Sequence, residues 1–321
     1  MRYLPTIIPR SRFVALLLFY LPIWIVGGLL SATAQEAGSL PEVSTEPVPA
    51  NFQNRIPSDQ LAFLKDYAGK PAKLLMKDKR YRALLKLVTP RTEYHYGRDM
   101  PLRDANDEVM DGSSLPVQLR EDRYVTVAGR QGPILDGKGM LWFDLQEGIG
   151  LGAVYFHPTN GEPTPTVAIF SRQLTQQALG MSELPLGFAS DEIQWATQVG
   201  IAPVTVRYFI PEDGKKYVLV HDEDYCDHLA DQPAPPEAVC QPLNADAADA
   251  DMNGAYFMAQ THNQANATAW MLGPDQVAWL SLREQSCRVG PDRLGCRIHI
   301  TRERTRQLLG GRPIPHFAGR R

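Results

Sequence analysis

The chain has 321 residues, of which 44% are hydrophobic, and a formal net charge of −3. An acidic balance disfavours nucleic-acid binding, which usually needs a basic surface. The sequence also lacks a Gly-x-Ser-x-Gly elbow, a phosphate-binding loop and a His-Glu-x-x-His motif, so it is not a member of the common enzyme classes that carry them.

Residues 1–34 have the pattern of an export signal. Three arginines supply the positive flank, residues 13–30 carry no charge, and residues 32–34 offer small side chains to a signal peptidase. We therefore expect cleavage near Ala34 and a periplasmic or secreted protein without a stable membrane span. Loss of the three arginines changes the formal charge from −3 to −6. Retention as an anchor is the alternative, because the apolar run approaches the length of a bilayer span.

Residues 35–55 are rich in Pro, Glu, Ser and Thr and predict a flexible linker, because they cannot bury enough apolar surface to fold alone. A short helix is expected from Ser58 to Gly69. Pro71 then opens a longer, basic amphipathic helix. Its expected inward face consists of Leu74, Leu75, Tyr81, Leu84, Leu85 and Val88. The lysines and arginines of this helix fit a solvated face better than an anion-binding surface.

Residues 124–170 contain four β-rich runs separated by Gly, Asp, Pro and Asn clusters, which predicts an antiparallel meander. A short helix over 191–199 and a hairpin closed by Pro-Glu-Asp-Gly are expected to follow. The predicted fold class is α+β. An antiparallel β-meander domain with flanking helices spans 56–220, and a small disulfide-stapled all-α domain spans 221–310, followed by a basic tail over 311–321.

Two histidines before residue 220 are candidate catalytic residues. His95 lies near Glu93, Arg98 and Asp99 in sequence, and His157 follows a predicted strand. Both histidines also have an explanation without catalysis. His95 lies in an extended segment in which Tyr and His alternate, and His157 lies in a segment rich in turn-forming residues. We therefore expect a binding protein and no enzyme. An envelope-directed enzyme with a site near His95 and His157 is the alternative.

The last hundred residues predict three helices. One is expected over 274–287, with Pro274 at its first position, where a missing N–H costs nothing. The others are expected over 249–272, with Asn244 or Asp246 as cap, and over 297–309. One face of the 274–287 helix carries Gln276, Trp279, Leu280, Arg283 and Cys287.

A set of residues in this segment follows a recognisable order: Asp249, Asn253, Tyr256, Gln276, Trp279, Leu280, Arg283, Glu284, Thr301 and Arg304. With the four cysteines, the order resembles the LprI-like family, a small helical module of exported bacterial proteins named for a lysozyme inhibitor. The resemblance covers about residues 222–309. Met252 and Glu284 are mild departures, and the proline-rich stretch between Cys226 and Cys240 is a third. It implies a protein partner, such as a lysozyme, or envelope components, and no cofactor. We expect Trp279, Leu280 and one side of Tyr256 in the core.

All four cysteines follow residue 220 in a chain expected to be exported, so disulfides are their expected state. Three pairings are possible. We prefer Cys287 with Cys296, which flank a Gly-Pro-Asp turn, and Cys226 with Cys240, which would close a proline-rich loop. A zinc site at Cys226 and Cys240 with neighbouring histidines is the rival. Its spacing matches no usual site, so no metal is expected.

Charge is unevenly distributed after residue 220. Residues 222–251 contain nine acids and no Lys or Arg, whereas residues 283–321 contain ten arginines and three acids. Solvated helix faces explain this distribution most simply. The alternative is that the acidic stretch, and Asp222, Glu223 and Asp224 in particular, contacts a cationic partner such as a basic lysozyme.

Overall fold

The computed structural model describes residues 49–95, 99–111, 113–130, 137–156, 166–202, 205–227, 235–263 and 269–310. The predicted signal segment, most of the linker and the basic tail lie outside these residues. His157, the second candidate catalytic histidine, also lies outside them.

The α-helices in the described residues are α1 (Ser58–Leu61), α2 (Ala72–Leu75), α3 (Lys79–Val88), α4 (Leu102–Met110), α5 (Leu186–Val199), α6 (Glu237–Asn263), α7 (Ala269–Ser286) and α8 (Arg293–Leu308). Short 3-10 helices span Ala62–Tyr67 and Met181–Glu183. No helix in these ranges is both long enough and apolar enough to cross a bilayer.

The strands are β1 (Glu93–His95), β2 (Asp99–Pro101), β3 (Gln118–Arg120), β4 (Tyr124–Arg130), β5 (Lys138–Asp144), β6 (Ile149–Phe156), β7 (Thr166–Phe170), β8 (Leu179–Gly180), β9 (Val206–Ile210) and β10 (Tyr217–Val220). The first two form a separate hairpin. The others form one sheet of order β3-β4-β5-β6-β7-β9-β10-β8.

The sheet confirms the predicted α+β class and extends the predicted meander. Strands β4 to β7 pair antiparallel in chain order, and β9 pairs antiparallel with β10 across the predicted hairpin turn. The pairing of β7 with β9 is parallel. A parallel pair needs a crossover, which the segment containing α5 supplies. The sheet is therefore mixed, with a second parallel pair between β10 and β8.

Helices cover both faces of the sheet. Helices α1 to α4 bury one face, where Leu61, Leu85 and Leu102 are fully buried. Helix α5 covers the other face, where Trp142 is 0% exposed and donates from its indole nitrogen to Asp191 at 2.8 Å. Alternation of side chains along each strand explains why both faces are apolar.

The predicted basic helix after Pro71 is two helices, α2 and α3. They are separate because Asp78 caps α3, its carboxylate accepting a hydrogen bond from the Arg80 backbone N–H at 2.8 Å. Leu74, which was expected to face inward, is 44% exposed. The other five predicted inward residues are buried.

The three C-terminal helices are confirmed, but their predicted starts are wrong. Helix α6 begins at Glu237 and contains Pro242, and α7 begins at Ala269 and contains Pro274. Packing against neighbouring elements outweighs the local preference of proline for a helix start. Neither Asn244 nor Asp246 is a cap, because both lie inside α6. Helix α8 does begin at a cap, since the Asp292 carboxylate accepts from the Gly295 N–H at 2.7 Å.

Helix α6 packs against the last two long strands of the sheet. Val206, Val218 and Val220 form a buried cluster with Ala255 and Met258 of α6. Alternation along β9 and β10 places these valines on one face. The C-terminal helices therefore share a hydrophobic cluster with the sheet.

Candidate functional site

Arg283 ties the three C-terminal helices together. Its Nη1 atom lies 2.6 Å from the Asp249 carboxylate on α6 and 3.0 Å from the Thr301 hydroxyl on α8. Its remaining donors bond to the Glu284 carboxylate at 3.1–3.2 Å. The Arg283 side chain is only 7% exposed. A guanidinium has five donors in a fixed fork, which allows one residue to serve all three helices.

Arg304 makes the second set of links. Its Nε donates to the Gln276 side-chain oxygen at 3.0 Å, and its Nη2 lies 2.5 Å from the Asp275 carboxylate. The Gln276 amide nitrogen in turn lies 2.9 Å from the Met252 sulfur on α6. The Trp279 ring lies near both arginines, its centroid 5.2 Å from the guanidinium of Arg283 and 5.7 Å from that of Arg304.

The aromatic core predicted for these helices is only partly present. Leu280 is 36% exposed, so its prediction as a core residue is wrong. Trp279 and Tyr256 are half-buried. The reason is that the inward face of α7 is closed by the polar contacts of Gln276 and Arg283, and Leu280 lies at the edge of that face.

The disulfides have the preferred pairing. Cys226 is bonded to Cys240 and Cys287 to Cys296, with Cα–Cα distances of 5.0 and 5.6 Å. The first bond holds the segment after β10 on α6, and the second joins the end of α7 to α8. The zinc alternative is excluded at Cys226 and Cys240, because their sulfurs are bonded to each other.

These contacts join residues that are far apart in the C-terminal sequence, and the match to known proteins falls on the same segment. Residues 230–308 match the family model described as Lysozyme inhibitor LprI. The resemblance predicted from the sequence is confirmed for this part of the chain. No curated protein and no solved structure gives a significant match.

Within this LprI region (residues 230–308), four of the ten residues that carried the resemblance are buried. Gln276, Arg283, Thr301 and Arg304 are buried and bonded to one another or to the neighbouring acids. Asn253, Leu280 and Glu284 are exposed, and the Glu284 carboxylate accepts a hydrogen bond from Arg283. The geometry therefore gives the motif a structural role in holding α6, α7 and α8 together.

A series of polar contacts joins the LprI region to the sheet. The Asp251 carboxylate on α6 accepts from the His221 backbone N–H at 2.9 Å and lies 2.6 Å from His221 Nδ1. His221 Nε2 lies 2.5 Å from Arg207 Nη1. Because arginine can only donate, Nε2 accepts and the ring proton is on Nδ1, directed at Asp251.

This series of polar contacts ends at a buried carboxylate. Arg207 lies 3.5 Å from Glu192 of α5, and the two side chains are 4% and 0% exposed. Burial alone disfavours the charged guanidinium, but the negative charges nearby, of which Glu192 contributes most, outweigh burial, and the pKa of Arg207 is raised. Sequence analysis missed these contacts, because 30 residues separate His221 from Asp251 and no spacing rule links them.

The acids of residues 222–251 are less accessible to a partner than the sequence predicted. Asp222 is 5% exposed and accepts from the Ser182 backbone N–H at 2.9 Å and from its hydroxyl at 2.5 Å. Its prediction as a partner contact is therefore wrong. Glu223 and Asp224 are half-buried, and Asp224 accepts from the Cys226 N–H and the Asn244 amide. Asp227, Glu237 and Asp246 are exposed acids of the same stretch.

The burial of Asp222 makes stability depend on pH. Burial raises the pKa of Asp222 to about 6, from an ordinary value of 3.8. Between these values the folded state binds more protons than the unfolded state, so this carboxyl makes the protein less stable as pH rises. We expect the wild type to lose about 2 kcal/mol relative to Asp222→Asn between pH 4 and 7. Denaturant unfolding of both proteins measures it, and a pH-independent difference would contradict it.

The catalytic alternative lies outside what the structure describes. His157 and the side chain of His95 are not among the described residues. The hairpin register pairs the His95 backbone with Asp99, which is exposed. Within the described ranges, no group of three or more His, Cys, Asp or Glu side chains could hold a metal ion.

Proposed function

We propose that this chain is an exported binding protein whose LprI region engages and inhibits a lysozyme. The observation that carries the proposal is the family match over residues 230–308. The two disulfides support it, because such bonds persist in extracytoplasmic compartments. We further propose that the chain consists of an α+β domain over 56–220 and a helical domain over 221–310.

The burial of part of the motif restricts where a partner can bind. Arg283 and Arg304 are buried and hydrogen-bonded within the fold, so a partner would contact other residues. The outward acids Asp227, Glu237 and Asp246 carry charge that the described contacts do not neutralise. A basic enzyme would be attracted to such carboxylates, and the attraction would be screened beyond about 8 Å at physiological salt.

We therefore expect inhibition of at least one lysozyme by the purified protein, and slower association for a variant that combines Asp227→Asn, Glu237→Gln and Asp246→Asn. Loss of three steering charges should reduce the association rate severalfold, with a smaller effect at high salt. Inhibition assays and surface plasmon resonance at two salt concentrations measure both quantities.

The matched control removes charge of the opposite sign from the same region. Arg302→Gln with Arg306→Gln on α8 should leave association unchanged or faster, because these arginines repel a basic partner. Salt-independent inhibition that the acidic triple change does not affect would remove the electrostatic mechanism. No inhibition across a panel of lysozymes would remove the inhibitory function and leave the helical fold of the region as described.

A further inference from the structure

A pocket of about 470 Å³ lies where α3 ends, on the part of the chain before the LprI region. Its charged lining consists of Lys86, Arg91, Arg103 and Arg172, with Glu93 as its acid. The described chain thus places four cationic side chains around one opening in a protein whose net charge is negative. Such a concentration of positive charge favours an anionic ligand.

Thr89 provides a second, independent observation. It lines the pocket and is 4% exposed, yet its hydroxyl makes no hydrogen bond within the described structure. A buried hydroxyl without a partner costs free energy, so such groups are normally satisfied. A ligand oxygen in the pocket would supply the missing partner.

The end of a helix normally repels anions, because its last carbonyls are unpaired. Here three of the last four carbonyls are engaged, those of Leu85, Lys86 and Val88. The Thr89 N–H donates to the Leu85 oxygen at 2.9 Å, and the Arg172 backbone N–H donates to the Val88 oxygen at 2.6 Å. The Arg172 guanidinium donates to the Lys86 oxygen at 3.3 Å. The four cationic side chains therefore make the electrostatic potential of the pocket positive.

The fold neutralises little of this charge. Lys86 and Arg91 are exposed and form no ion pair with any residue that the structure describes. Arg103 pairs only with its neighbour Asp104, at 3.0 Å, in a half-exposed contact. Exposed pairs of this kind are weak and are readily exchanged for a stronger anion.

We propose that this pocket binds a phosphate group. Lysine, arginine and threonine are the side chains that donate hydrogen bonds to phosphate oxygens, and four cations against one acid favour a doubly charged anion over a single carboxylate. The phosphate is either free or carried on an anionic lipid headgroup.

Calorimetric titration of the purified protein with inorganic phosphate tests the pocket. We expect saturable binding by the wild type and about tenfold weaker binding by Lys86→Gln, which removes one charge-assisted contact. Lys79→Gln is the matched control, because Lys79 is an exposed lysine on the same helix outside the pocket, and it should bind like the wild type. Equal weakening in both variants, or no binding by the wild type, overturns the proposal.

Thr89→Val separates binding from folding. Valine has the shape of threonine without the hydroxyl, so we expect severalfold weaker phosphate binding and an unchanged or higher melting temperature. A lower melting temperature with unchanged binding would overturn the assignment of this hydroxyl to a ligand.

Vesicles of phosphatidylglycerol and of phosphatidylcholine then distinguish the sources of the phosphate. Retention on phosphatidylglycerol alone, abolished by Lys86→Gln and by free phosphate, supports a headgroup. Binding of inorganic phosphate without vesicle retention supports the free ion. Retention that Lys86→Gln leaves unchanged overturns the headgroup assignment.

Discussion

Replacing Asp251 by alanine is expected to lower the free energy of unfolding by about 3–5 kcal/mol, because it removes one partner of a buried, hydrogen-bonded chain. The Asp251 carboxylate accepts two hydrogen bonds from His221, and both residues are less than 6% exposed. Without it, the His221 N–H and Nδ1–H would be buried and unpaired beside Arg207. Urea unfolding followed by circular dichroism measures the change.

Asp246→Ala provides the matched control. Asp246 lies on the same helix but is exposed, so its loss should change stability by less than about 0.5 kcal/mol. Asp251→Asn should be intermediate, since an amide keeps one acceptor but not the charge. Equal, small effects of Asp251→Ala and Asp246→Ala would show that the His221 contact does not hold α6 to the sheet.

Replacing Arg283 by alanine is expected to destabilise the LprI region by about 2–3 kcal/mol, because its charge-assisted hydrogen bonds are lost while its acidic partners remain partly exposed to water. The change would leave Asp249 and the Thr301 hydroxyl without their shared partner and would remove one of the two cations near Trp279. Far-ultraviolet circular dichroism should show lower helix content at intermediate urea concentrations, where the sheet still persists.

Arg288→Ala is the comparison for Arg283. Arg288 is an exposed arginine just after α7, and it forms no salt bridge within the ranges that the structure describes. Its replacement should be nearly neutral. Both disulfides remain intact in the two variants, so any difference between them reports on the Arg283 contacts alone. A loss below about 1 kcal/mol for Arg283→Ala would assign the cohesion of the helices to the disulfides instead.

Sequence analysis predicted the features that depend on neighbouring residues. The four-strand meander and the β9–β10 hairpin follow from β-rich runs bounded by turn residues. The Cys287–Cys296 bond spans nine residues across a Gly-Pro-Asp turn, which made it the preferred one of the three possible pairings. The order of residues between Asp249 and Arg304 was enough to identify the LprI region.

The structure decided what depends on packing between distant segments. Leu280 and Leu74 have the periodicity of core residues but are partly exposed. Periodicity predicts which residues share one face of a helix, but it does not predict which other element covers that face. Asp222 was predicted to be a surface acid, but it is buried and bonded to Ser182 of the 3-10 helix.

The chemistry of the molecule shows the same division. Composition and local order determined the α+β class, the disulfide-linked helical module and its family, since these depend on propensity and spacing along the chain. The link from Asp251 through His221 to Arg207 joins a helix to a strand that lies more than 40 residues earlier in the chain. The basic pocket around Thr89 likewise gathers Arg103 and Arg172 from distant segments. Only the folded chain brings such groups within hydrogen-bonding distance, because their separation in sequence sets no limit on their separation in space.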